Sequence, residues 1–84
     1  MSRGLGDVYK RQVLKEGFVS IDMAQNILVV KTVSGMAMAV AAAIDAMKYP
    51  EIVGSIAGDD TIMMAVRTVE DTKSLMNQIL QLVH

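Results

Sequence analysis

"ILVVKTVSGMAMAVAAAIDAMKYPEIVGSIAGDDTIMMAVR", residues 27–67, holds two kinds of repeat in one run. "ILVVKTV" is β-branched and apolar and reads as a strand. Ser34 and Gly35 break it, and Ser34 is a good helix N-cap. "MAMAVAAAIDAMKY", 36–49, is rich in Ala and Met, both strong helix formers. Pro50 ends the helix, because the residue before proline avoids the helical region. "EIVGSIAG" and "TIMMAVR", 61–67, are two further strands joined at Asp59 and Asp60. One helix thus sits between strands, and the second pair closes as a hairpin.

Upstream, "VLKEGFVSIDM", 13–23, reads as a first strand. Phe18, Ser20 and Asp22 fall on one face, Val19, Ile21 and Met23 on the other. "AQN", 24–26, is a turn in which Asn26 tolerates positive φ. Downstream, Thr68 caps a last helix, with Asp71 in the reciprocal position. Leu75, Ile79 and Leu82 share one face of that helix. The order is β-β-α-β-β-α. The expectation is an α+β two-layer sandwich, a four-stranded antiparallel-type sheet with two helices on one face.

Eighty-four residues make one small domain. Composition excludes several chemistries. The chain has no Cys, and its one His is the last residue, His84, so thiolate or His-based metal and catalytic clusters within a chain are excluded. Aromatics make up only 4%, which argues against a base-stacking surface. The apolar run 36–44 is too short to span a bilayer, and the first residues show no signal-peptide pattern. The expectations are no catalytic residues, no metal, no cofactor, no membrane and a cytoplasmic location.

"SRGLGDVYKRQ", 2–12, resembles the in-frame translation of a transposon-end adapter used in sequencing libraries rather than a protein family. On that reading residues 1–12 are a non-native, disordered segment with neither helical nor strand periodicity, and natural sequence is missing upstream. Residues 13–84 form the native domain. They hold five basic and eight acidic side chains, a net charge of −3. That is the wrong sign for nucleic acid.

Apolar residues exceed what a two-layer fold can cover. Ile27 to Val30 and Ile62 to Val66 are apolar on both faces, where a half-wet sheet would alternate. Between Met36 and Met47 the only charge is Asp45. A helix apolar all round is buried all round. Further copies of the chain would cover the rest; the alternative is an Ala-rich surface helix.

Asp59 and Asp60 stand at the hairpin tip. Two adjacent carboxylates repel, and a proton or a cation relieves them. A guanidinium suits the task, being planar, always charged and able to give parallel N–H bonds. The plainer alternative is a Gly-Asp-Asp turn facing water. Asp45 is either a paired acid or the helix's one solvent-facing position. Met38 lies seven residues, two turns, before Asp45 and points the same way. A pocket walled by Met38 and Asp45 and floored by Asp59 and Asp60 is geometrically possible if the helix and the hairpin tip come from neighbouring subunits. "GDD" also resembles the metal motif of RNA-dependent polymerases, which needs a palm domain and further acids that a chain of this length lacks.

Residues 13–83 resemble the C-terminal domain of bacterial arginine repressors. "VGSIAGDDTI" is close to the family's G-T-I-x-G-D-D-T, and "IDMAQNILVVKT" and "AAAIDAM" agree in place and spacing. The resemblance implies an effector-binding and oligomerisation domain that forms trimers, paired into hexamers. It implies L-arginine held at the trimer interface by Asp59 and Asp60, with Asp45 and Met38 lining the pocket. Operator DNA would be read only by a missing N-terminal winged helix-turn-helix. The intact protein would control arginine metabolism genes. Ser34 stands where the family usually has Pro, and Met38 where it often has Gln or His. A thioether cannot replace the hydrogen bonds of those side chains, which implies weaker arginine binding or a changed effector. Two alternatives stand beside this: an effector-independent oligomerisation module, and a small dehydratase-like enzyme on the same fold.

Overall fold

The computed structural model describes residues 3–84, with side chains from residue 9 onward. Three helices and four strands follow in the order α1 (Arg3–Gly17), β1 (Phe18–Ala24), β2 (Ile27–Thr32), α2 (Ala37–Ala46), β3 (Ile52–Ala57), β4 (Thr61–Val66) and α3 (Val69–Val83). The expected β-β-α-β-β-α core is present as an α+β fold. The sheet is antiparallel throughout, in the order β1-β2-β4-β3.

Three expectations need correcting. Residues 13–17 are not strand but the end of α1, and β1 starts at Phe18. Residues 3–12, expected to lack regular structure, are helical; Met1 and Ser2, the rest of that expectation, lie outside the described residues. The helices among the described residues therefore number three. The physical reason is a periodicity that straddles residue 12. Half-buried Lys10 and buried Val13, Leu14 and Gly17 follow the i, i+3, i+4, i+7 spacing of one helical face. Read from residue 13 alone, that face is too short to show.

The core lies between one sheet face and the helices. Leu28 and Val30 of β2, Ile62, Met64 and Val66 of β4, Val40 and Ile44 of α2, and Leu75 and Ile79 of α3 are all buried. β1 adds Ile21 and Met23, while Ser20 and Asp22 are exposed. Phe18 also packs on the core although its parity matches Ser20, because a bulge between them shifts the register and leaves Val19 exposed. α1 packs against α2, closely at Gly17: a Cβ there would sit 2.6 Å from Val40 Cγ2. Part of the cover expected from another copy thus comes from this chain's own first helix.

Local details follow the sequence unevenly. Thr68 caps α3, its Oγ1 accepting from the Asp71 amide at 2.9 Å. In the β1–β2 turn the positive φ falls on Gln25, not Asn26. Asn26 instead ties the turn to β4, its Nδ2 donating to Val66 O and its carbonyl accepting from Val66 N. α2 stops at Ala46 rather than reaching Tyr49, and Lys48 turns the chain out at φ 60. At its start the cap is Met36, with no side-chain cap bond.

Candidate functional site

The β3–β4 tip is a tight, well-tied structure. Gly58 N donates to Thr61 O at 2.8 Å, closing the turn around Asp59 and Asp60. Three more backbone bonds join it to the segment between β2 and α2. Thr32 N donates to Asp60 O at 2.8 Å, and Gly35 N and Ala37 N donate to Asp59 O at 3.1 and 3.2 Å. Gly35 adopts φ +82 to make that turn, a conformation glycine enters without a Cβ penalty. The acidic pair is therefore held against the N-terminal end of α2 by main chain.

Each carboxylate is oriented by a hydroxyl. Ser34 Oγ lies 2.9 Å from Asp59 Oδ2, and Thr61 Oγ1 lies 2.9 Å from Asp60 Oδ1. Lys31 Nζ donates to Thr61 Oγ1 at 3.0 Å. Both acids are exposed, and no cation lies in ion-pair contact with them among the described residues. Their negative charge is thus placed and displayed, and among the described residues its opposite is supplied only indirectly, by Lys31 through the Thr61 hydroxyl.

Not every expected residue joins them. Asp45 is exposed on the last turn of α2, where with Lys48, Tyr49, Pro50 and Val53 it borders a separate surface hollow. Eight residues of helix, about 12 Å of rise, separate it from Ala37 beside the tip. Met38 sits near the start of α2 and is 72% exposed. Within one chain the structure brings Asp59 and Asp60 together with the α2 N-terminus and leaves Asp45 at the other end. No group of three or more His, Cys, Asp or Glu arranged to hold a metal ion occurs among the described residues.

Sequence reasoning missed Ser34, Thr61 and Lys31 as parts of the site. Ser34 read as a helix cap, yet its hydroxyl is spent on an acid 25 positions away. Only the pairing of β2 with β4, which sets Lys31 opposite Thr61, brings these groups to one place.

The other exposed feature is the helix-free sheet face. Val29, Met63 and Ile56 are cross-strand partners in one row over β2, β4 and β3. Met63 is 52% and Ile56 78% exposed, and Ile27 and Ala65 adjoin them. Two central strands that are apolar on both faces are what the sequence led us to expect. A row of this kind commonly marks an interaction surface. No helix among the described residues is long and apolar enough to cross a membrane.

Comparison with known proteins gives a consistent picture. The family model described as "Arginine repressor, C-terminal domain" matches residues 14–81. The chain is 75% identical over 71 residues to the arginine repressor of Lachnospira eligens, covering 84% of this chain and 47% of that protein. It is 62% identical over 81 residues to that of Lachnoclostridium phytofermentans, covering 96% and 53%. It is 42% identical over 72 residues to that of Bacillus subtilis, covering 86% and 48%. The chain spans about half the length of these curated relatives.

Proposed function

This chain belongs to the arginine repressor C-terminal domain family, and on that footing we propose that it is the effector-binding, oligomerising part of an arginine-responsive transcriptional regulator. The observation that carries the proposal is the acidic pair at the β3–β4 tip, fixed by backbone and hydroxyl bonds and, among the described residues, without a cation against it. L-arginine is the effector, its guanidinium taken by Asp59 and Asp60. Each charge-assisted hydrogen bond contributes roughly 1.5–3 kcal/mol. Met38, next to Ala37 at the start of α2, lines the same ligand site beside the acids, whereas Asp45 reaches it only from another copy of the chain, since it lies at the far end of α2 within its own.

Self-association is the second half of the proposal. The Val29–Met63–Ile56 face and the exposed side of α2 are the surfaces that other copies cover, as trimers and paired trimers. A ligand held between copies favours assembly by mass action. Contact with operator DNA and control of arginine genes belong to the intact, cytoplasmic regulator, through an N-terminal winged helix-turn-helix. The domain's role is binding rather than catalysis.

Isothermal titration and light scattering of the 84-residue chain test this. L-arginine binds and shifts the scattering mass upward; L-citrulline, of similar shape but uncharged at its tip, does neither. A chain that remains monomeric and takes up no arginine overturns the proposal. One observation favours a second reading, an oligomerisation module without an effector: Met38, beside the acids, offers the ligand no strong hydrogen bond. On that reading arginine binding emerges only in Met38→Gln.

A further inference from the structure

Ser34 and Thr61 take part in no helix cap: the cap of α2 is Met36, and that of α3 is Thr68. Their hydroxyls face the two acids instead. The direction of each bond follows from simple counting. A carboxylate can only accept, so the Ser34 proton goes to Asp59 Oδ2. An ammonium can only donate, so the Lys31–Thr61 contact uses a lone pair of the Thr61 oxygen and leaves that hydroxyl's one proton for Asp60 Oδ1. Each carboxylate therefore has one oxygen occupied by a hydroxyl. The other two oxygens, Asp59 Oδ1 and Asp60 Oδ2, have no side-chain donor among the described residues.

We propose that Ser34 is a positioning residue for the effector. It holds the Asp59 carboxylate by one oxygen, as Thr61 holds that of Asp60, and so leaves one held, open acceptor on each of two adjacent residues. This rests on the arginine reading above and extends it to selectivity. Two held acceptors reward a rigid, planar fork of N–H donors. A compact ammonium has freely rotating donors and gains little from that fixity. The Ser34 bond thus discriminates a guanidinium from an ammonium carried on the same three-methylene chain. Ser34 is exposed, and its neighbours Gly35 and Ala37 hold the tip by main chain. Removing the hydroxyl therefore frees the carboxylate without opening the turn.

The test is titration of the 84-residue chain and its Ser34→Ala and Ser34→Thr variants with L-arginine and L-ornithine, alongside thermal melts. Ser34→Ala is expected to lower arginine affinity by about three- to tenfold, the worth of one net hydrogen bond. Ornithine affinity is expected to change less, so the preference narrows. Ser34→Thr restores the preference, and the melting temperatures of all three agree. Thr61→Val, tested in the same way, is expected to act in the same direction on Asp60. If the parent binds arginine and Ser34→Ala keeps both affinity and preference, the positioning role is overturned while the arginine reading stands. If the parent itself ignores arginine, the arginine reading falls, and the positioning role falls with it.

Discussion

The two faces of the sheet carry similar residues and meet different fates. In β4, Ile62, Met64 and Val66 are buried, whereas Met63, their neighbour in the chain, is half exposed. In β2, Leu28 and Val30 are fully buried while Ile27 and Val29 are only partly so. Hydrophobicity alone does not separate the two sets; the presence of helices on one side does. Burial on the covered face stabilises the single chain, at about 25 cal/mol per Å² of apolar surface. The same chemistry on the bare face contributes less, in proportion to its partial burial, until something covers it. One face serves folding, and the other is available for association.

Substitutions should separate these roles. The largest effect is expected on the covered face: Ile62→Ala removes a buried side chain and lowers stability by about 2–5 kcal/mol in denaturant unfolding. A loss near zero would mean that the two faces are not distinct. Next comes Gly17→Ala, where α1 meets α2. The added methyl would stand 2.6 Å from Val40 Cγ2, so the helices must shift, at a cost of about 1–3 kcal/mol. That substitution also asks whether α1 is part of the covered layer, since a helix that merely lay nearby would not register it.

Met63→Lys, one residue from Ile62, is expected to change single-chain stability by less than about 0.5 kcal/mol. Its effect should appear in light scattering as reduced self-association, because a charge placed in an apolar contact opposes it. Equal association of parent and variant would remove the bare face from the proposed interface.

The smallest effect lies at the rim of the covered layer. Burial, and secondarily the Glu51 charge, push the Tyr49 hydroxyl above its ordinary value of 10.0. A raised folded value means that the stabilising contribution is complete below the unfolded pKa. It is lost as pH climbs through the folded one. Stability of the parent should therefore dip above pH 10.0. Tyr49→Phe should flatten that dip, as followed by unfolding at several alkaline pH values.

Much of this molecule is legible in the order of its residues. Strand, helix and hairpin signals are local, so β2, α2, β3, β4 and α3 follow from patterns a few residues long, and Thr68 performs the capping that its place before "VEDT" suggests. The double-sided apolar character of β2 and β4 is equally visible, as is the oddity of Asp59 beside Asp60. α1 was hidden because its buried face, residues 10, 13, 14 and 17, spans two stretches of different composition. Ser34 was misassigned for a different reason. A hydroxyl before a helix has two possible partners, the helix amide and any acceptor the fold delivers, and only the first is nearby in sequence.

Local pattern thus settles which segments are strands and helices, and which residues carry unusual charge, because backbone propensity and side-chain period act over short spans. Tertiary structure alone decides which apolar face is covered. It also ties Ser34 to Asp59 and Lys31 through Thr61 to Asp60, and it separates Asp45 from both acids. Those outcomes depend on antiparallel β2–β4 pairing and helix packing, which join residues some 25 or 30 positions apart, a distance over which no local period survives.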